Sequence, residues 1–591
     1  MNQKNQKSSR LLYYSPYILF FLAGVFYFYW FANYIFFYQE KSQLFQTTFS
    51  FFKEKLSQPG GFLNYLDYFQ TTIYYYPLLG AILVTIEIIV LIVLVSAIGK
   101  RISGNNVFIL PFLLGGVLFF LQTHYQYRSL NTIGIFSQLF FFFATIRLFK
   151  DKSEWIPVVL VPINYFLFGS FSCLFLVMFI IWLSQKREKH WLVKIAVMLI
   201  WEFLFFYVAK EFLFFQTIQN LLIFPFSAAK TGEQTPLFIA VMVLSGLLPL
   251  LFLIKPKFVK KISINKLSLL PIMPMVLIII AGVLSVKRID KKNIHYFYVE
   301  KLFYQQKYKE IIAFNSGFPS NNILTGYLNN IALAETGQLG DKLFSFPQSA
   351  DGGSLFLKWD LVTEVLRRGG YFYYTIGMIN EAQRWAYEYM VMRGLTPEGL
   401  KMLIKTELIN GNYKVAQKYI SILKNTLFYK REAQQFEKLL FDDVAVNRHP
   451  ELGQKKALKT KQDFFVLSDE PAANLDLIIE ADSTNFAAIE YKMALLLLQK
   501  DMKGIVHLLP VLEHCGIQEI PQNVEEAVVT YQQLKLGELP DLKTLRIKLE
   551  TIQRFRQYYQ IFQQNNSNKE QAKRALAKDF SDTFWYYVFF S

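Results

Sequence analysis

Apolar residues run almost unbroken through the first half of the chain, and after Lys287 charged residues recur every few positions. A helix needs about 20 apolar residues to cross a bilayer. Runs of that order cover residues 11–38, 74–98, 107–122, 130–149, 155–184, 191–209, 237–254 and 267–286. The run 155–184 is too long for one ordinary crossing, and the flanking cations decide its reading. With the N-terminus inside, Lys100, Arg101, Arg147, Lys150 and Lys152 fall on the inner side. Lys186, Arg187 and Lys189 join them only if 155–184 crosses twice, turning near Gly169-Ser170, and then Lys255, Lys257, Lys260, Lys261 and Lys266 also face inward. Fewer cations fall in the outer loops: Lys41, Lys53, Lys55, Arg128, Lys210 and Lys230. The positive-inside rule therefore predicts nine crossings over 1–286 in a cytoplasmic membrane, with 287–591 outside it.

Two of the outer loops carry their own pattern. In 39–73, Leu44, Phe45, Thr48, Phe49, Phe52 and Leu56 recur at helical spacing, Pro59-Gly60-Gly61 breaks the chain, and Phe62, Leu63, Leu66 and Phe69 start again. This predicts two amphipathic helices lying in the membrane interface. The loop 210–236 predicts another, over 212–226.

In the second half the pattern becomes that of paired short helices. Gly411-Asn412-Tyr413-Lys414-Val415-Ala416 has a small turn residue, an aromatic and an alanine for close helix packing, with Leu400, Leu403 and Ile404 before it and Tyr419, Ile420 and Leu423 after. Gly377-Met378-Ile379-Asn380-Glu381-Ala382 repeats it 34 residues earlier, the tetratricopeptide period. Weaker copies begin at Gln306, Gly337 and Lys500. The prediction for 287–591 is a tetratricopeptide-like α-solenoid, and for the whole chain an all-α fold: a polytopic helical bundle followed by the solenoid. The polar stretch 447–461 reads as a loop. The segment 585–590 is unusually apolar for a soluble end. Arg367, Arg368, Tyr371, Tyr373, Tyr374 and Arg384 form a cationic and aromatic cluster, expected on the surface as the place where a protein partner docks; packing of the solenoid is the competing explanation of each residue.

The 591 residues are 53% hydrophobic, with 59 Phe, 35 Tyr and a net charge of +17. That charge sits largely in loops beside apolar runs, with no dense basic stripe interleaved with aromatics, so nucleic acid is not an expected partner. Cys173 and Cys515 make neither a disulfide framework nor a zinc spacing. His507, His514 and Cys515 lie close in sequence without a further ligand, so no metal site is predicted there. No phosphate loop, dinucleotide fingerprint or serine elbow is found. Glu87 and Glu202 fall inside apolar runs, where a carboxylate must face the protein interior, pair, or stay protonated.

Glu40 stands where the first run ends, in Phe37-Tyr38-Gln39-Glu40. This placement, the two interfacial helices after it and the later large outer loop resemble the GT-C class of membrane glycosyltransferases over about residues 11–254. In that class an Asp or Glu at the start of the first outer loop acts as catalytic base or binds the metal or acceptor. The resemblance implies that role for Glu40, a divalent metal as a cofactor where the carboxylate ligates one, and a lipid-linked sugar as donor. Many members carry a second acid in the loop between the third and fourth crossings. Here that loop reads Gln122-Thr123-His124-Tyr125-Gln126-Tyr127-Arg128 and has none. His124 is then the candidate base and Arg128 the candidate ligand of a lipid phosphate. The segment 377–428 also resembles a bacterial family of multi-pass membrane proteins with a tetratricopeptide-like tail, which implies no activity. Two function classes stand open: a GT-C-like transferase acting at the outer face, and a non-catalytic membrane scaffold whose repeats bind a protein; a transporter, which only Glu87 and Glu202 support, is a third.

Overall fold

The computed structural model describes residues 3–148, 155–187, 190–226, 235–253, 272–360, 362–460, 462, 464–467, 469–565 and 568–591. Every regular element among them is helical. The chain divides into two compact units, Met1–Asp290 with Asn425–Phe428, and Lys291–Lys424 with Tyr429–Ser591.

The first unit contains α1 (Gln3–Trp30), α2 (Asn33–Lys41), α3 (Phe49–Leu56), α4 (Gly61–Ile73), α5 (Pro77–Ser103), α6 (Ile109–Gln122), α7 (Ser129–Leu148), α8 (Trp155–Phe168), α9 (Ser172–Lys186), α10 (Trp191–Val208), α11 (Ile218–Ile223), α12 (Thr235–Gly246), α13 (Leu248–Leu253) and α14 (Ile272–Lys287). The helices share a core of side chains such as Leu91, Leu118, Phe142 and Phe175, each fully buried. Among the described residues, four helical stretches are by length and composition able to cross a membrane: Pro77–Ser103, Ser129–Leu148, Trp155–Lys186 and Trp191–Leu213. A fifth is counted if α1 and α2, bent by 65° at Phe31–Ala32, form one span. Helices α6, α12 and α14 are apolar but shorter.

Several of the predicted runs form helices shorter than their apolar length. The 14 residues of α6 rise only about 21 Å, against a hydrocarbon core of about 30 Å. Contacts with α7 give the course of the chain near Gly169. Gln138 and Asn164 exchange side-chain hydrogen bonds, while Phe171 packs against Gly134 and Phe175 against Phe141. Going up α7 thus means going down α8 but along α9, so the chain folds back at Gly169–Phe171. A positive φ of 61° at Gly169 makes the turn, and a Cβ there would meet the Phe224 carbonyl oxygen at 2.8 Å. Trp155–Lys186 is thus long enough to cross only when taken as one stretch; its two arms have 14 and 15 residues. Lys150, Lys152, Lys189, Lys230, Lys255, Lys257, Lys260, Lys261, Lys266 and the run ends at 149, 254 and 267–271 lie outside the described residues.

Both expected helices of the first loop form. Thr48 caps α3 by accepting the Phe51 N–H, and Gly60, with φ 64°, turns the chain into α4. The second loop is less helical than its aromatic pattern suggested. A π turn, Ala209–Leu213, and the six-residue α11 replace one long helix over the described part of 212–226.

The second unit stacks short helices in sequence: α15 (Lys291–Tyr304), α16 (Tyr308–Gly317), α17 (Ile323–Glu335), α18 (Leu339–Lys342), α19 (Thr363–Thr375), α20 (Ile379–Arg393), α21 (Pro397–Asn410), α22 (Tyr413–Lys424), and a further series ending in Phe584–Phe590. The turns at Gly377 and Gly411 take φ values of 85° and 76°, which only glycine adopts freely. Ala416 is fully buried where α22 meets α21. The stretch 447–461 is not a loop: Pro450–Ala457 is helical, with the His449 ring accepting the Leu452 N–H and Pro450 in the first turn. The apolar C-terminus is tucked in, with Phe584 and Trp585 fully buried. The Glu526 carboxylate accepts the Phe584 N–H at 2.7 Å.

Candidate functional site

The loops carrying Glu40 and His124–Arg128 meet at one end of the first unit. The Gln39 side-chain amide donates to the carbonyl oxygens of Tyr127 at 2.8 Å and Tyr125 at 3.3 Å. The Tyr38 and Tyr125 rings pack edge to face at 4.8 Å, and His124 stacks on Tyr125 at 5.0 Å. Glu40 itself is buried, with Lys41 at 3.5 Å. His124 is half-buried, and its Nδ1 accepts the Gln126 N–H at 3.3 Å.

Asp67 on α4 is the residue at the centre of this end, and sequence reasoning missed it. It has no exposed surface. It forms an ion pair with Arg128 through Oδ2, and its Oδ1 accepts the Leu130 N–H at 2.8 Å. Gln43 completes the group: its amide donates to Asp67 Oδ2 at 3.1 Å and to Thr71 at 2.7 Å, and its carbonyl accepts from Arg128 at 3.2 Å. The guanidinium of Arg128 is thus held by a carboxylate and an amide at fixed angles, with 27% of its side chain exposed. A further polar chain leads inward from α4. Gln70 donates to the Tyr74 hydroxyl at 2.8 Å and reaches Glu87, and Tyr74 hydrogen-bonds Ser129. The signal for all this was a polar stripe, Asn64, Asp67, Gln70 and Thr71, on one face of an aromatic-rich helix. An interfacial helix turns such a stripe to water, and here each of the four is buried.

Glu87 and Glu202 do not pair with each other. Glu87 is half-buried beside Gln70. Glu202 is buried near Tyr165 and Cys173, its oxygens lacking hydrogen-bond partners among the described residues.

Among the described residues no three His, Cys, Asp or Glu side chains are grouped to hold a metal ion. The donor set at Glu40 gives the physical reason. The carboxylate of the network described above, Asp67, already takes a guanidinium, a backbone N–H and an amide, and a cation there would compete with Arg128. The residues present do not fit the divalent ion that the GT-C resemblance implies.

The expected surface cluster of the second unit is corrected by the structure. Arg367, Arg368, Tyr373 and Tyr374 are buried and Tyr371 is half-buried; Arg384 is the exposed one. Arg368 pairs with the fully buried Glu300 at 2.7 Å, and Arg367 approaches it at 3.7 Å. Burial is the largest single influence and works against both guanidinium charges, but Glu300 together with Glu364 and the neighbouring tyrosines outweighs it and leaves both groups above their ordinary range. Tyr374 donates to Glu451 at 2.9 Å, Tyr371 packs on Phe303 at 4.9 Å, and Tyr373 lies against Trp385. These side chains fasten α15, α19 and α20 together. Arg384 lies over the Trp359 ring at 4.4 Å and pairs with Glu381.

The fold defines an all-helical protein with several helices fit to span a membrane. The chain belongs to DUF6057, a family of unknown function, whose profile matches residues 9–591. No curated protein and no solved structure matches the chain.

Proposed function

We propose that this protein is a GT-C-like membrane transferase that moves a sugar from a lipid-phosphate donor, with its site at the end of the first unit where Gln39–Gln43 meets His124–Arg128. The observation that carries this reading is the clasp itself: two loops more than 80 residues apart in sequence bring a buried carboxylate, a histidine and an oriented arginine to one end of the bundle. Glu40 takes the acceptor proton, with His124 as the neighbouring base. Arg128, held by Asp67 and Gln43, stabilises the phosphate that departs. In the proposed topology the N-terminus is cytoplasmic, and the repeat unit, read as tetratricopeptide-like, lies outside the cytoplasmic membrane; the loop cations support this orientation.

Complementation of a gene deletion tests the reading. Glu40→Gln and Arg128→Ala are each expected to insert normally and to leave the deletion phenotype uncorrected. Full rescue by both, together with loss of rescue on mutating Arg384 and Trp359, favours instead a non-catalytic scaffold that binds a protein through its exposed repeat surface.

A further inference from the structure

Between α1, α6 and α14 lies a cavity of about 190 Å³, walled by Phe20, Ala23, Tyr27, Phe119, Ile278 and Gly282 among others. It continues into an open groove along α1 and α14 that ends at Lys287. Missing side chains make the channel. A Cβ on Gly282 would meet nothing within 4 Å, and one on Gly116 would meet only the Ala281 methyl at 3.8 Å. The lining is hydrocarbon, and the cations stand at one end. Arg288 lies over the Phe120 ring at 4.8 Å, and the Tyr27 hydroxyl donates to the Ser285 carbonyl at 3.2 Å. That end adjoins the site described above. Phe120 immediately precedes the loop of His124, and Tyr34 lies within electrostatic reach of Tyr27, Tyr125 and Arg288.

An apolar channel among helices fit to span a membrane, closed at one end by Lys287 and Arg288, is complementary to a chain with an anionic head. We propose that this groove holds the hydrocarbon chain of a phosphate-bearing membrane lipid, with Lys287 and Arg288 receiving the phosphate. The lipid's part as donor rests on the transferase reading; its binding does not. A chain seated along α14 presents its phosphate beside Tyr34 and Tyr125, on the side where Glu40 and Arg128 lie.

The test uses the full-length protein in maltoside micelles and two photoreactive probes with the same diazirine-bearing acyl chain, a phosphatidic acid and a diacylglycerol. The phosphatidic acid should label peptides of α1 and α14 in preference to α10, whose apolar surface is largely exposed, and dodecyl phosphate should compete. Gly282→Trp fills the channel and should abolish this labelling. If that variant does not fold, the head-group pair decides. Lys287→Ala and Arg288→Ala should each weaken phosphatidic acid labelling by about fivefold and leave diacylglycerol labelling unchanged. Labelling spread evenly over α10 and α14, or indifferent to both cations, overturns the proposal. Specific labelling in a protein whose Glu40→Gln variant still complements keeps the lipid site and removes the transferase. Absence of labelling with a dead Glu40→Gln variant removes the groove alone.

Discussion

Replacing Asp67 by alanine separates the architecture of the site from its chemistry. The carboxylate has no exposed surface and receives Arg128, Gln43 and the Leu130 N–H. Removing one partner of a buried ion pair costs roughly 3–5 kcal/mol. The Arg128 side chain is 27% exposed, so water recovers part of its solvation and the pair falls toward the low end. The Leu130 N–H, left without an acceptor, adds about 1–3 kcal/mol. Asp67→Ala should therefore destabilise the first unit by about 4–6 kcal/mol in all. Asp67→Asn keeps an oxygen for Leu130 and should lose only about 1–3 kcal/mol. In a double-mutant cycle, Arg128→Ala added to Asp67→Ala should cost less than the sum of the single changes, because the stranded charge is gone. The assay is thermal or denaturant unfolding of the detergent-purified chain. Wild-type stability in Asp67→Ala, or strict additivity with Arg128→Ala, would refute the lock.

The remaining predictions concern the second unit. A Cβ at Gly369 would lie 2.1 Å from the Trp385 ring, which is fully buried, so Gly369→Ala should lower the unfolding midpoint through overpacking of roughly 1–3 kcal/mol or more; an unchanged midpoint contradicts that packing. Ala416→Trp should do the same at the α21–α22 contact, by a similar amount. Burial pushes the Glu490 carboxyl up to about 8, although the Leu339 and Gly340 N–H groups that it accepts favour its charged form. Its folded-state value lies above its unfolded one. Its contribution is therefore complete below about pH 4 and is lost as pH rises through the folded value. Glu490→Gln keeps the accepting oxygen, so its stability relative to wild type should grow between pH 5 and 9; parallel pH profiles for the two proteins would sink this.

What was legible in the sequence was local. The turn glycines at 377 and 411, the Ala416 contact and the Pro59-Gly60 break each follow from a few adjacent residues, and each is found in place. What was not legible depended on partners distant in sequence. Arg367 and Arg368 read as surface cations because Glu300, which neutralises them, stands on α15, more than 60 residues earlier. Asp67 was not singled out in a helix expected to lie in the membrane interface, because its partner Arg128 lies 61 residues on. The apolar tail at 585–590 looked misplaced until Tyr558 and Glu526 supplied its pocket. Apolar runs overstate helix length for another reason: hydropathy measures apolar length, and a helix broken at Phe31 or Gly169 divides that length between directions.

The transfer itself is tested most directly by the lipid-phosphate sugar pool. Membranes from a strain lacking the gene are complemented with wild type, Glu40→Gln or Asp67→Asn, and the lipid-phosphate sugars are extracted and quantified. The result expected is that one lipid-phosphate sugar accumulates in the deletion strain, falls with the wild-type chain, and stays high with Glu40→Gln although the protein is present at normal level. A pool identical in all four membranes, or one restored by Glu40→Gln as fully as by wild type, would contradict a transferase centred on that carboxylate.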